Sequence, residues 1–105
     1  MNRIKEINYL EFKNLRDKAE FMATLVYTPT CGTCHLAKRM LSIVVETVAK
    51  GSYNQVNLNF NEGLAMDYEI LSVPCLLIHQ NGRLVDKIYN FTSVPFLYNE
   101  VISYF

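Results

Sequence analysis

A continuous apolar run gives way directly to a helical pattern in the first half of the chain. Residues 21–27, FMATLVY, are typical of a strand that is buried on both faces, and Pro29 ends the run. From Cys31 onward, apolar residues recur every three or four positions, at Leu36, Met40, Leu41, Val44, Val45 and Val48. Gly51 is the candidate C-cap. The pattern therefore predicts a buried strand followed by a helix of about four or five turns.

The N-terminal segment predicts a short strand and then a helix. Residues 3–7, RIKEI, favour the strand, although an odd spacing separates Ile4 from Ile7. Asn8 is a good N-cap for the helix that follows, whose apolar positions are Leu10, Leu15 and Ala19.

Shorter signals lie in the middle of the chain. The alternation of Val56, Leu58 and Phe60 predicts a strand. Residues 61–70 predict a short helix, and an irregular segment up to Pro74 follows it. The element order up to this point is βαβαβα.

The last third of the chain contains the clearest local signal. Two β-rich runs flank Asn81-Gly82, the pair preferred in a tight type I′ turn, so we expect a hairpin. Thr92 or Ser93 then caps an amphipathic helix, whose apolar stripe is Val94, Leu97, Val101 and Phe105. Strands that alternate with helices predict an α/β domain with a central sheet covered on both faces.

Composition limits the kinds of partner. The chain has 105 residues, which gives room for one domain with a single core, and half of its residues are apolar. Ten basic and ten acidic residues cancel, and neither sign forms a run. We therefore expect no nucleic-acid partner and no binding to an anionic membrane surface. No apolar run reaches the roughly 18–20 residues that span a bilayer.

The cysteines indicate the redox compartment. Residues 1–20 lack the apolar core of a signal peptide, so we expect a cytoplasmic protein. A reducing compartment argues against a structural disulfide, and the cysteine count is odd. We therefore expect Cys31, Cys34 and Cys75 to be thiols.

The motif CGTCH at residues 31–35 admits three chemistries: a redox dithiol, half of a zinc site and the attachment pattern of a c-type haem. Cys31 lies where the helix begins, and there the free N–H groups and the macrodipole favour a thiolate. Cys34 lies on the same side of the first turn, so it is placed to attack a mixed disulfide at Cys31. Gly32 leaves room for a partner chain to approach. This placement favours the redox dithiol.

The whole chain resembles the thioredoxin fold family. The matching features are CGTC between strand and helix, SVP at residues 72–74, the QNG hairpin and the terminal helix. The resemblance implies a thioredoxin fold of order βαβαβαββα, with a central mixed β-sheet and helices on both faces. It implies disulfide exchange with protein substrates without a bound cofactor, in which Cys31 attacks and Cys34 resolves. Electrons are then expected from a thioredoxin-reductase-type enzyme or a low-molecular-weight thiol, and the protein is expected to be a monomer or a weak dimer.

The resemblance also implies a substrate site. It predicts a cis peptide bond before Pro74, with the Val73 backbone presented to an extended substrate. The residues expected to contact substrate are Thr30, Gly32, Val73, Pro74 and Asn90. An apolar rim around the site is expected from Tyr27, Tyr89 and Phe91.

Several positions depart from the family pattern. Thr33 replaces the usual proline between the cysteines, and Asn90 replaces a glycine. Leu25 stands where the family has a buried acid, and Gln55 stands where it has the paired lysine. Because that pair moves protons for the resolving thiol, this chain is expected to use water or another route for Cys34.

Three other functions compete with the redox dithiol. A metal or iron–sulfur site through Cys31, Cys34 and Cys75 needs a fourth ligand, for instance from a second subunit. Covalent haem at His35 fits poorly, because nothing places a second axial ligand. A non-catalytic interaction module is the other alternative, although it has no need for an intact cysteine pair. We expect Cys75 to be a buried hydrophobe rather than a third redox partner.

Overall fold

The computed structural model describes residues 3–104, which form a sheet of five strands with helices around it. The strands are β1 (Lys5–Glu6), β2 (Phe21–Tyr27), β3 (Ser52–Asn57), β4 (Cys75–Gln80) and β5 (Arg83–Ile88). The helices are α1 (Tyr9–Lys18), α2 (Gly32–Thr47), α3 (Glu62–Asp67) and α4 (Val94–Ile102).

The strands lie side by side in the order β1-β3-β2-β4-β5. The first three of these are parallel, whereas β4 runs antiparallel to β2 and β5 runs antiparallel to β4. Parallel neighbours need crossover connections, which α1 and α2 provide, and antiparallel neighbours need only a tight turn. Asn81 and Gly82 form that turn with φ values of 52° and 83°, as a type I′ turn requires. The predicted α/β fold, element order and mixed sheet are confirmed.

The sheet separates two apolar clusters. On one side, which we call the α2 face, Leu25 of β2 packs with residues of α2 and α4. On the other side, the α1 face, Val26 packs with Phe12 of α1 and with α3. Ile4 belongs to the α2 face and Ile7 to the α1 face. Their odd spacing therefore follows from a segment that contributes to both cores.

Helix α1 begins as predicted but buries a different residue. The Asn8 side chain accepts a hydrogen bond from the Glu11 N–H at 2.8 Å, and the Glu11 carboxylate accepts one from the Asn8 N–H at 3.0 Å. Phe12 is fully buried, whereas Leu10 is 67% exposed. The prediction for Leu10 was wrong because it is five positions from Leu15, which turns it about 140° away. Phe12 is three positions from Leu15 and shares its side of the helix.

Strand β3 is shorter than the alternation predicted. It ends at Asn57, and Leu58–Phe60 form a single 3₁₀ turn that leaves Phe60 84% exposed. The Asn57 side chain accepts a hydrogen bond from the Asn59 N–H at 3.0 Å, and the Asn61 side chain donates to the Asn57 carbonyl at 2.8 Å. The asparagines therefore stop the strand by bonding the backbone locally.

Helix α2 ends before the expected glycine. Its C-cap is Val48, and Gly51 lies three residues further on with φ +100°. A Cβ at Gly51 would lie 2.6 Å from Cδ2 of Phe21. Gly51 is therefore needed for a close approach and a left-handed backbone and does not cap the helix.

Helix α4 agrees with its prediction. Ser93 caps it by accepting a hydrogen bond from the Phe96 N–H at 3.1 Å, and Leu97 and Val101 are fully buried on the α2 face. Phe105, the last predicted member of the stripe, lies outside the described residues. Among residues 3–104, no helix is both long and apolar enough to cross a membrane.

Candidate active site

Cys31 is the N-cap of α2. Its backbone is extended, and its Sγ accepts a hydrogen bond from the Cys34 N–H at 3.2 Å. One of the N–H groups that a helix start leaves unpaired is thereby directed at the sulfur. A Cβ added at Gly32 would meet no atom within 4 Å apart from its chain neighbours, so the space next to this glycine is open. The half-exposed Cys31 is accessible to another molecule.

Two neighbouring side chains favour the thiolate of Cys31. A hydrogen bond with the Cys34 side chain, followed by one with Thr33, holds the pKa of Cys31 below its usual range. The Thr33 Oγ1 lies 3.3 Å from the Cys31 Sγ. Because hydrogen bonds to a charged form stabilise it, these contacts increase the nucleophilic fraction of Cys31 at neutral pH.

Cys34 has the opposite surroundings. Its side chain is buried, and burial raises the pKa of Cys34 to about 11, helped by the hydrogen bond with Cys31. Cys34 is therefore a thiol at neutral pH and a hydrogen-bond donor to its partner. The two cysteines differ in charge and access although only two residues separate them.

A shallow cavity of about 240 Å³ lies beside the motif. It is lined by Thr33, Leu36, Pro74, Tyr89 and Phe91. The Val73–Pro74 peptide bond is cis, as the resemblance implied. Leu36, the first apolar position of the helical pattern, is 43% exposed here. Tyr89 and Phe91 lie on this rim as expected.

The remaining residues that are predicted to contact substrate lie close in sequence to residues that line this cavity. Thr30 and Asn90 are exposed in loops, and Val73 is half-buried against the core of the α1 face. The Tyr89 hydroxyl accepts a hydrogen bond from the Leu71 N–H at 3.1 Å, which ties the segment before Pro74 to the end of β5. The roles of these residues in substrate binding stay predictions.

A second cavity of about 240 Å³ lies behind Cys34. Tyr27 lines this cavity next to Cys34, whereas the other two residues expected on the apolar rim, Tyr89 and Phe91, line the cavity beside Pro74. The reason is that Tyr27 follows Leu25 on the α2 face of β2. The other lining residues are Leu25, Pro29, Cys34, His35, Lys38 and Gln55.

Cys75 lies on the other side of the sheet. It is fully buried at the start of β4, pairs with Val26 and packs in the core of the α1 face. Burial raises the pKa of Cys75 to about 11. Within the described part of the chain, no three His, Cys, Asp or Glu side chains are placed to hold a metal ion together. The sheet thus keeps Cys75 apart from the cysteine pair.

The sequence of the chain matches a known family model. The model described as thioredoxin matches residues 4–97, which is most of the chain. The chain belongs to the thioredoxin family. Thioredoxin-like protein YusE of Bacillus subtilis (strain 168) is 38% identical over 95 residues, which cover 90% of this chain and 88% of that protein. Thioredoxin 1 of Synechococcus elongatus is 34% identical over 67 residues, or 59% of either chain.

Solved thioredoxin structures have the same fold. Oxidised mitochondrial thioredoxin 3 of Saccharomyces cerevisiae superposes with a TM-score of 0.85 at 19% identity, covering 95% of this chain and 94% of that one. A thioredoxin of Plasmodium falciparum gives a TM-score of 0.88 at 18% identity, covering 97% of this chain and 100% of the other. Family and fold together support the general class of thiol–disulfide oxidoreductases.

Glu6 contacts Tyr27 and Gln55, two residues that line the cavity behind Cys34, and the sequence did not reveal this. Glu6 lies beside Gln55, which lies beside Leu25, so these three residues form one row across β1, β3 and β2. Oε1 of Glu6 accepts hydrogen bonds from Tyr27 and Gln55, both at 2.6 Å. Leu25 and Gln55 are marked by the thioredoxin resemblance, whereas the position of Glu6 beside them depends on the register of the edge strand β1.

Proposed function

We propose that this thioredoxin-family protein is a thiol–disulfide oxidoreductase in which Cys31 is the nucleophile and Cys34 is the resolving thiol. The observation that carries the proposal is the contrast within the pair. A half-exposed sulfur at a helix N-terminus receives hydrogen bonds, and a buried thiol lies next to it. An attacking cysteine requires a lowered thiol pKa and a sulfur that the substrate can reach.

The reaction has two exchange steps. The Cys31 thiolate attacks one sulfur of a substrate disulfide, the substrate S–S bond breaks, and the leaving thiolate takes a proton from water. Cys34 then loses its proton and attacks the Sγ of Cys31, which releases the second substrate thiol. Two electrons pass to the substrate, and the protein is left with a Cys31–Cys34 disulfide.

The substrate is a protein disulfide in an extended segment. Thr30 and Gly32 on the motif side, and Val73, Pro74 and Asn90 on the facing loops, are proposed to contact it. The Val73 backbone is proposed to pair with an extended chain, as the thioredoxin resemblance implies, and the cavity beside Pro74 suits a side chain next to the substrate cysteine. A reductase of the thioredoxin-reductase type or a low-molecular-weight thiol is proposed to reduce the Cys31–Cys34 disulfide back to the dithiol. The protein is proposed to act in the cytoplasm as a monomer or weak dimer.

Insulin reduction with dithiothreitol as electron source tests the proposal. We expect the wild-type protein to accelerate the appearance of turbidity, and the Cys31→Ser variant to lose this acceleration. Cys75→Ala is the matched control and should retain it, because Cys75 lies on the α1 face. A Cys34→Ala variant should accumulate mixed disulfides with substrate proteins.

No acceleration by the wild type would contradict a general reductase. Retained acceleration in Cys31→Ser would contradict the assigned nucleophile. A protein whose cellular role survives Cys31→Ser would instead be an interaction module, and zinc or iron in the purified protein would indicate a metal site shared with a second subunit.

A further inference from the structure

The row Glu6–Gln55–Leu25 brings a carboxylate to the α2 face, where Cys34 lies. Glu6 pairs with Gln55 and Gln55 pairs with Leu25 in parallel register, and neighbours in register point to the same side of a sheet. Leu25 and Ile4 pack on the α2 face, which places the Glu6 side chain on that face as well. An acidic group therefore lies two strands away from the leucine that occupies the family's acid position.

Two hydrogen bonds fix the Glu6 carboxylate. Its Oε1 accepts from the Tyr27 hydroxyl at 2.6 Å and from the Gln55 Nε2 at 2.6 Å. Bonds of this length to a carboxylate are the strong, charge-assisted kind. Each donor comes from a different strand, so an exposed side chain on an edge strand is held in one position.

The cavity behind Cys34 joins this cluster to the thiol. Cys34, Tyr27 and Gln55 all line it, and its volume of about 240 Å³ is ample for several waters. The Gln55 side chain is buried, and its Oε1 has no protein hydrogen-bond partner within residues 3–104. Tyr27 donates its proton to Glu6, so the lone pairs of its oxygen remain available to accept from water. Polar atoms and a thiol that line the same cavity favour a bridging water.

Resolution requires a proton acceptor for Cys34. Its thiol is buried and protonated at neutral pH, whereas the attack on Cys31 needs a thiolate. Of the residues that line the cavity, Gln55 cannot take up a proton, and a protonated Lys38 has no lone pair. His35 uses Nε2 to contact the Pro29 carbonyl at 2.9 Å, so that nitrogen carries the hydrogen, and Nδ1 is the rival acceptor.

We propose that Glu6 receives the Cys34 proton through the Tyr27 hydroxyl and water in the cavity, an inference that rests on the proposed function. The thiol proton passes to a water, the water gives a proton to the Tyr27 oxygen, and the original Tyr27 proton moves to the Glu6 Oε1. The step leaves a Cys34 thiolate, an intact tyrosine and a neutral Glu6. The new thiolate displaces the substrate sulfur from Cys31, and Glu6 later returns its proton to solvent.

Single-turnover reaction with one equivalent of dithiobis(nitrobenzoate) separates the two thiols. Attack by Cys31 releases a first thionitrobenzoate, and attack by Cys34 on the mixed disulfide releases a second. We expect Glu6→Gln and Tyr27→Phe to slow the second release about tenfold or more, in the range of general base catalysis, and to leave the first unchanged. Glutamine still accepts both hydrogen bonds, so the variant retains the cluster and loses only the proton acceptor.

Control variants make the assignment specific. Glu46→Gln makes the same charge change at an exposed position of α2 and should leave both phases unchanged, as should His35→Asn. Added acetate should restore part of the second phase in Glu6→Gln, which a purely structural defect would not permit.

Three outcomes would overturn the relay. The first is a second release of thionitrobenzoate that is unchanged or faster in Glu6→Gln. The second is a first release that Glu6→Gln slows as much as the second release. The third is a second release that is lost only in His35→Asn. If the wild type itself releases no second thionitrobenzoate, the assignment of Cys34 as resolving thiol fails first. A wild type with two phases and unaffected variants contradicts the relay alone.

Discussion

Cys34 and Cys75 are both buried thiols whose pKa burial raises to about 11, yet their surroundings differ. Cys34 lies on α2 next to the half-exposed Cys31 and a largely apolar cavity that Tyr27 and Gln55 also line. Cys75 lies on the α1 face in close packing with apolar side chains. Burial and pKa therefore do not distinguish a reactive thiol from a structural one. A neighbouring sulfur and a cavity shared with hydrogen-bonding side chains do.

The stability of the core on the α1 face depends on side-chain packing, and Phe12 is a large, fully buried part of that core. Phe12 is fully buried in the cluster that contains Cys75 and stacks edge-on against Tyr68 and His79. Phe12→Ala should lower the free energy of unfolding by about 3–5 kcal/mol, because it leaves a cavity in a close-packed core. Urea unfolding measures this, with Leu10→Ala on the exposed side of α1 as the control, expected to change it by less than about 0.5 kcal/mol. Equal effects of the two variants would contradict the orientation of α1.

Histidine 79 makes the α1 face sensitive to acid. His79 is buried beside Tyr68, whose hydroxyl lies 3.1 Å from its Nε2, and burial followed by the charge of Arg16 lowers the pKa of His79 to about 4. A depressed pKa in the folded protein contributes stability above the unfolded value of 6.5, and that stability is lost as the pH falls toward 4. The shift corresponds to about 3 kcal/mol.

Urea unfolding at pH 7 and pH 4 tests the contribution of His79. In the wild type, the difference in unfolding free energy between these conditions should exceed that of His79→Gln by about 3 kcal/mol. His35→Gln, which removes an exposed imidazole, is the matched control. An equal pH dependence in wild type and His79→Gln would show that His79 is not buried in its neutral form.

The thiols on the two faces should react at different rates. The pKa of Cys31 lies below the ordinary 9.0 and that of Cys75 is about 11, so ionisation alone favours alkylation of Cys31 at neutral pH by more than about a hundredfold. Iodoacetamide labelling followed by peptide mass spectrometry measures both rates in one sample. In denaturant the two rates should converge. Comparable rates in the folded protein would contradict the burial of Cys75.

Local chemistry was sufficient to predict much of the fold. Asn8 as a cap, the turn at Asn81-Gly82 and the helical period after Cys31 are properties of a few neighbouring residues, and each of these elements is present in the structure. The strand assignment failed at Phe60 because hydrophobic alternation continues while asparagine side chains end the strand. Strand propensity does not include this competition between sheet hydrogen bonds and local hydrogen bonds from asparagine side chains.

The candidate site was only partly predictable for a different reason. Cys31 and Cys34 lie in one short motif, so their relation can be deduced from the spacing. Glu6 reaches Tyr27 and Gln55 only through the parallel register of three strands, which depends on residues far apart in sequence. No local pattern encodes that register, and the two-residue strand β1 carries too few residues to show it.

Thr33 gives the smallest and most specific test of the difference between the thiols. Its Oγ1 lies 3.3 Å from the Cys31 Sγ and contributes to the lowered pKa of Cys31. Thr33→Val keeps the shape and removes the hydroxyl, so alkylation of Cys31 at neutral pH should slow about two- to tenfold, the equivalent of one hydrogen bond. Thr33→Ser retains the donor and should keep the rate, and Cys75 should respond to neither change. Equal slowing in both variants would mean that the threonine methyl group, and not its hydroxyl, governs the nucleophile.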